Sequence, residues 1–81
     1  MNEKWLVVGF RPVNFKDKQT GVPVSGFSLF LQRDPMDDRV QGQEVDKIFI
    51  SSEYVRYTPE LGDEIVLIYN KYGKISSIQV V

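Results

Sequence analysis

Three aromatic residues of this sequence lie close to basic residues, in a combination that suits contact with single-stranded nucleic acid. Phe30 and Phe49 each lie on a segment of alternating apolar and polar residues. Tyr72 lies between Lys71 and Lys74. Aromatic rings can stack on bases while neighbouring cations contact the phosphates. The candidate nucleic-acid-binding residues are Arg11, Phe15, Lys16, Lys18, Phe30, Lys47, Phe49, Lys71, Tyr72 and Lys74.

Two predicted loops share this composition. Residues 15–21 hold Phe15, Lys16 and Lys18 and end in a glycine. Residues 70–74 hold Tyr72 between two lysines, again with a glycine beside them. We expect both loops to present an aromatic ring among cations, with the glycine giving the backbone conformational freedom.

The aromatic candidates each have an ordinary structural alternative. Phe30 and Phe49 become core residues if the alternation is displaced by one position, because such a slip exchanges the two faces of a strand. Tyr72 could instead pack its ring on the neighbouring strand. Trp5, the only tryptophan, is better explained as a core lid or a subunit contact than as a stacking platform.

The basic candidates have alternatives as well. Lys16 and Lys18 could be plain solubility charges, and Arg11 could pair with Glu3 or Glu44. The overall charge is −1, but residues 34–64 carry nine acidic and only three basic side chains. Because the acidic residues are concentrated in one segment, a chain that is acidic overall can still present a local basic strip on its surface.

Most catalytic and metal chemistry is excluded by composition. The chain has no His and no Cys, so it lacks the usual zinc ligands and the Ser–His and Cys–His nucleophile pairs. Asp34, Asp37 and Asp38 lack the glycine and closing glutamate of a calcium loop, and the glycines do not form a phosphate-binding loop. We therefore predict no enzyme activity, no catalytic residue, no metal, no cofactor and no small-molecule substrate.

The hydrophobic periodicity is two, which predicts strands. A first strand, 4–15, contains Gly9, which suggests a bend, and Pro12, which suggests an edge or a bulge. Residues 33–43 form a predicted acidic surface loop, and residues 58–62 could support one helical turn because Pro59 follows a threonine. The remaining predicted strands are 22–32, 44–51, 64–69 and 74–81.

Five strands in 81 residues, the first of them long, predict a single all-β domain over residues 1–81. A closed barrel would hide one apolar face of each strand and protect the strand edges. We expect an OB-type, Greek-key barrel of five strands, and an SH3-like small barrel is the nearest alternative. The predicted inward residues are Leu6, Val8, Phe10, Phe27, Leu29, Leu31, Ile48 and Ile50.

The layout of the whole chain resembles the small OB-fold single-stranded DNA-binding proteins of filamentous phages and some Gram-positive mobile elements. The resemblance is carried by the segments 5–10, 24–29, 47–51, 61–66 and 69–74. It implies binding without strong sequence preference by a symmetric dimer, with Tyr72 and Phe49 as stacking candidates. The acidic loop 34–38 departs from that family's charge balance.

Two functions remain open from the sequence. The first is non-catalytic binding of single-stranded DNA by a homodimer, through stacking and phosphate contacts. The second is a protein-interaction module that binds a partner protein through an exposed strand edge or through the patch of Phe30 and Phe49. The apolar runs are too short for a membrane helix and residues 1–4 lack a secretory layout, so we expect no membrane partner and a cytoplasmic location.

Overall fold

The protein is described here by a computed structural model that covers residues 3–81, with side chains from Lys4 onward. Five strands are present, as predicted: β1 (Glu3–Lys16), β2 (Pro23–Arg33), β3 (Glu44–Ser51), β4 (Glu64–Tyr69) and β5 (Ile75–Val80). The observed strand boundaries lie within one residue of those predicted from the alternation. Residues 1–4, which were expected to lack a secretory layout, fall mostly outside the described residues.

The helical turn predicted at residues 58–62 is wrong. The backbone of this segment is tied to β1 instead: the Gly62 N–H donates to the Val7 carbonyl, and the Val7 N–H donates to the Asp63 carbonyl. Gly62 has a φ of 87°, which a continuing right-handed turn does not allow. Residues 3–81 contain no helix, and therefore none long and apolar enough to cross a membrane.

The five strands form one antiparallel sheet in the order β3-β2-β1-β4-β5. In the described residues β3 pairs only with β2, and β5 pairs only with β4. The sheet is therefore open between β3 and β5. The ladders do not close it into the expected barrel. Because every neighbouring pair is antiparallel, β3 and β5 run in the same direction.

A bulge at Val8 reverses the alternation of β1. Val7 pairs with Leu31 and Gly9 pairs with Phe30, so Val8 is an extra residue with no partner on β2. Before the bulge the inward residues are Trp5 and Val7, which are 4% and 0% exposed.

The prediction that Leu6 and Val8 face inward is therefore wrong. After the bulge Phe10 pairs with Leu29 on the inner side, as predicted, although its side chain is 38% exposed.

One hydrophobic core joins both halves of the sheet. The buried residues include Leu29, Leu31 and Ile50 from β2 and β3, and Ile65 and Leu67 from β4. Strands at opposite ends of the sheet order can share one core only if the sheet curls, so its inner face is concave. The core residues, with those packed against them, are Trp5, Val7, Phe27, Leu29, Leu31, Ile48, Ile50, Val55, Tyr57, Ile65, Leu67, Ile75 and Ile78.

Candidate nucleic-acid interface

The convex side of β1, β2 and β3 carries the aromatic candidates. In the ladders Gly9, Phe30 and Lys47 lie side by side, and residues of one cross-strand row share a face. The next row on the same face is Arg11, Ser28 and Phe49. We call this side the outer face and define it by Arg11, Phe15, Phe30, Lys47 and Phe49.

The rings of Phe30 and Phe49 lie outside the core. They are 39% and 43% exposed, and neither belongs to the hydrophobic core. Their positions opposite the inward residues Leu29 and Ile50 follow directly from the alternation of β2 and β3. The one-residue slip that would bury both rings does not occur in these two strands.

Each of the two rings lies over a glycine of the neighbouring strand. The Phe30 ring lies above Gly9, and a Cβ added to Gly9 would lie 3.3 Å from Phe30 Cδ2. The Phe49 ring reaches over Gly26, where an added Cβ would lie 2.9 Å from Phe49 Cζ. Glycine at these positions lets a large ring lie across the sheet. Gly9 and Gly26 are not among the residues predicted for the site, because which ring lies over which glycine is set by the pairing of the strands.

The aromatic surface continues to the end of β1. Phe15 is 50% exposed, and its ring centroid lies 6.2 Å from that of Phe49 at an interplanar angle of 54°. At the other end of the outer face, Lys47 Nζ lies 5.8 Å from the centroid of the Phe30 ring. Three rings and one cation thus follow each other across β1, β2 and β3.

The predicted cations take no part in the ion pairs formed by the side chains of residues 4–81. In the part of the chain with described side chains, none of the six predicted basic residues makes an ion pair. The ion pairs that are present use other cations: Lys4 with Glu64, Arg33 with Glu44, and Arg39 with Asp37. The unpaired candidates are Arg11, Lys16, Lys18, Lys47, Lys71 and Lys74.

An ion pair of Arg11 with Glu3 or Glu44 was the alternative to its role in nucleic-acid binding. Glu44 instead binds Arg33 with two hydrogen bonds of 3.2 Å, so that alternative is wrong. The Glu3 side chain lies outside the described residues. Arg11 lies beside Ser28 on the outer face, in the row that ends at Phe49.

The loop between β1 and β2 keeps its only acid occupied by its own backbone. Asp17 Oδ1 accepts hydrogen bonds from the N–H groups of Gln19 and Thr20, at 2.8 and 3.4 Å. The Asp17 carbonyl also accepts from the Gly21 N–H. The loop therefore presents the exposed Lys16 and Lys18 on either side of one carboxylate that is bonded to its own backbone.

The hairpin between β4 and β5 is held in shape by Asn70. Its side-chain oxygen accepts from the N–H groups of Tyr72 and Lys74, at 2.9 and 3.0 Å. Gly73 takes a φ of 76°, which an ordinary side chain would oppose. Tyr72 is 74% exposed, with Lys71 Nζ 5.1 Å from its ring centroid. Its ring is therefore displayed at the hairpin tip and not packed on a strand.

One carboxylate, Asp46, lies beside the outer face, where it lines a surface pocket with Phe30 and Lys47. The register places Val45, Lys47, Phe49 and Ser51 of β3 on the outer side, so Glu44 and Asp46 belong to the inner side. Asp46 reaches the rim, where its Oδ1 accepts from the Lys47 N–H at 2.8 Å. Among the residues with described side chains, no group of three or more acidic residues is arranged to hold a metal ion.

Trp5 lies away from this surface. It is buried in the core, and the Arg33 guanidinium lies 4.2 Å above its ring. The structure therefore places Trp5 as a core residue and not as a stacking platform.

The candidate residues form two groups. Arg11, Phe15, Phe30, Lys47 and Phe49 share the outer face, with Lys16 and Lys18 at the end of the same β1–β2 hairpin. Lys71, Tyr72 and Lys74 belong to the separate β4–β5 hairpin. In comparisons with protein-family models, curated proteins and solved structures, nothing matches this chain.

Proposed function

We propose that this protein binds single-stranded DNA without catalysis and with little sequence specificity. The observation that carries the proposal is the row of rings on the outer face, Phe15, Phe49 and Phe30, next to Arg11 and Lys47, two cations that make no ion pair with any described side chain. Bases of any sequence offer a π-face to such rings, and cations beside them can follow the phosphates. A duplex keeps its bases stacked inside, so the rings favour a single strand.

The fold supports the proposal. OB folds bind oligonucleotides on their second and third strands and on the loops that join strands one to two and four to five. The outer-face residues lie on β1, β2 and β3, Lys16 ends β1, and Lys18, Lys71, Tyr72 and Lys74 lie on those two loops. We propose an OB-type Greek-key arrangement that is left open between β3 and β5; the homodimer, the phage or mobile-element origin and the cytoplasmic location remain predictions.

The number of exposed rings and cations sets the expected affinity for single-stranded DNA and its dependence on salt. Stacking contributes about 1–3 kcal/mol per base, so removal of one ring should weaken binding about 5- to 150-fold. Each phosphate neutralised on a single strand contributes about −0.7 to the slope of log affinity against log salt. Several unpaired cations should therefore give a steep salt dependence.

The test is a titration of fluorescein-labelled oligo-dT and of a duplex of the same length, followed by anisotropy at several salt concentrations. We expect binding of oligo-dT that weakens with salt, and weaker binding of the duplex. Phe30→Ala should weaken oligo-dT binding, whereas Phe10→Ala should not. Phe10 is the matched control because its exposure, 38%, is close to the 39% of Phe30 but its ring lies on the inner side against Phe27.

The proposal fails if oligo-dT does not bind at low salt. It also fails if Phe30→Ala and Phe10→Ala have the same effect on binding. The fluorescence of buried Trp5 checks the folding of Phe30→Ala and of Phe10→Ala independently of binding, because it reports whether the core is intact.

A second candidate function, a protein-interaction module, is favoured by the open edge of β5. Two other edges are protected against pairing with a further strand. The edge of β1 past the bulge contains Pro12, which has no N–H to donate, and β3 carries the charged residues Asp46 and Lys47. β5 has neither a proline nor a charge, in the sequence Ile-Ser-Ser-Ile-Gln-Val. Such an edge can pair with a strand of a partner or of a second copy.

The two candidates are separated by two double variants. Ser77→Glu with Gln79→Glu charges the β5 edge and should abolish strand pairing, which light scattering coupled to gel filtration measures as loss of the dimer. Tyr72→Ala with Lys74→Ala should weaken oligo-dT binding and leave association unchanged. A protein that is monomeric at all concentrations and captures no partner contradicts the second candidate.

A further inference from the structure

A cleft of 550 Å³ lies between β3 and the β4–β5 hairpin, where the sheet is open. We call it the seam cleft. Its walls come from Phe49, Ile50, Tyr54 and Val55 on one side and from Tyr69 and Lys74 on the other. The volume lies within the ~300–1,000 Å³ range of small-molecule sites in proteins.

The lining of the seam cleft has the same chemistry as the outer face. Tyr54 is 76% exposed and Tyr69 is 40% exposed, so both rings are accessible. Lys74 is the only charged residue of the lining, and no acidic residue takes part in it. Aromatic rings with a single cation match a nucleotide, which offers a flat base and one negative phosphate.

The walls also present backbone hydrogen-bonding groups. In the described ladders β3 pairs only on its β2 side and β5 only on its β4 side. The Ser51 carbonyl on the β3 wall already accepts from the Tyr54 and Val55 N–H groups, and the other edge groups of β3 and of Ile75 in the lining have no ladder partner across the cleft. Such groups can bond to the edges of a base that enters between them.

Phe49 connects the seam cleft to the outer face. Its ring lies over Gly26 on the outer face, and Phe49 is also one of the residues that line the cleft. Lys74, on the opposite wall, belongs to the hairpin that displays Tyr72. A chain that runs over Phe30 and Phe49 therefore reaches the hairpin by crossing the cleft, and the two groups of candidate residues become one track.

From this geometry we infer that the seam cleft accepts one nucleotide of the bound single strand. The base stacks against Tyr54 or Tyr69, and Lys74 holds its phosphate. The inference rests on the proposed function, and it adds a specific site at which the strand leaves the open face and is held between β3 and the hairpin.

The test uses oligo-dT with 5-iodouracil at a single position, irradiated in the complex and analysed by mass spectrometry of the peptides. We expect cross-links to Tyr54 or Tyr69 in addition to any to the outer-face rings. In anisotropy titrations Tyr54→Ala and Lys74→Gln should each weaken binding about 5-fold or more. Arg56→Gln is the matched control, because Arg56 is a nearby exposed cation that does not line the cleft.

The outcomes distinguish this inference from the proposed function. If oligo-dT binds, Phe30→Ala weakens it, and both Tyr54→Ala and Lys74→Gln leave it within 2-fold of wild type, the seam cleft is not used and the outer-face proposal stands. Cross-links restricted to Phe15, Phe30 and Phe49 overturn the inference in the same way. If oligo-dT does not bind wild-type protein at all, both proposals fail together.

A protein partner would give a different pattern. A peptide strand inserted between β3 and β5 would pair with the strand edges and would make no use of Lys74. A synthetic peptide that binds there without displacing oligo-dT, combined with unchanged oligo-dT binding in Lys74→Gln, would overturn the nucleotide assignment of the seam cleft.

Discussion

The ring of Phe49 on β3 lies over Gly26 on β2, and the fit leaves no space for a side chain at position 26. A Cβ on Gly26 would lie 2.9 Å from Phe49 Cζ and would overlap the carbonyl oxygen of Ile50. Gly26 itself is buried although it points to the outer face. The outer face is therefore built partly by a ring that covers a glycine.

Gly26→Ala should destabilise the protein strongly. The added methyl group meets backbone as well as a ring, so β2 and β3 must move apart, at a cost of about 3 kcal/mol or more. Urea unfolding followed by circular dichroism measures the change. Gly9→Ala is the control, because its methyl group would lie 3.3 Å from the movable Phe30 side chain and should cost less. Equal unfolding midpoints for Gly26→Ala and wild type would contradict the packing described here.

Lys47→Gln should reduce the salt dependence of oligo-dT binding. Lys47 has no carboxylate partner among the described side chains and lies beside Phe30 on the outer face. Loss of one phosphate contact should lower the magnitude of the salt slope by about 0.7. Lys4→Gln should leave the slope unchanged, since Lys4 Nζ already pairs with Glu64 at 3.1 Å. Identical slopes for Lys47→Gln and wild type would remove Lys47 from the interface.

Asn70→Ala should loosen the β4–β5 hairpin. The variant loses the acceptor for the Tyr72 and Lys74 N–H groups, which should cost about 1 kcal/mol. Oligo-dT affinity should fall with it, because Tyr72 and its neighbouring lysines lose their fixed positions. The control is Asn14→Ala, which removes a single exposed hydrogen bond from Ser25 on another hairpin. A loss of stability without any loss of affinity would show that the hairpin does not contact the strand.

Stability should fall at alkaline pH because of Tyr57. Burial raises the pKa of Tyr57, and the hydrogen bond that its hydroxyl donates to Asp63 at 2.6 Å raises that pKa further. The folded protein thus holds the phenol proton more tightly than the unfolded chain, whose tyrosines titrate near pH ~10. The stabilisation is fully present below pH ~10 and is lost as the pH rises towards the folded pKa.

The measurement for Tyr57 is the urea midpoint between about pH 8 and about pH 11, followed by circular dichroism. Wild type should lose more stability across this range than Tyr57→Phe, which has no proton to lose. Parallel curves for the two proteins would mean that Tyr57 ionises equally easily in the folded and unfolded states.

Much of the architecture could be predicted because a strand in a half-buried sheet has a period of two. The alternation of 44–51 located β3 and placed Phe49 opposite Ile50, and Asn70 with Gly73 located the closing hairpin. The absence of His and Cys restricted the chemistry before any fold was known. Composition and local pattern were sufficient for these points, since each depends on neighbouring residues alone.

Other features were decided only by tertiary structure, because they depend on which residues meet across strands. The bulge at Val8 reversed the faces of β1, so Trp5 and Val7 entered the core in place of Leu6 and Val8. The pairing of β3 with β2 placed the Phe49 ring over Gly26, and the missing ladder between β3 and β5 left the seam cleft open. Contacts between residues distant in sequence leave no trace in local periodicity, which is why the sequence alone identified the strands and the exposed rings but not the surface that they form together.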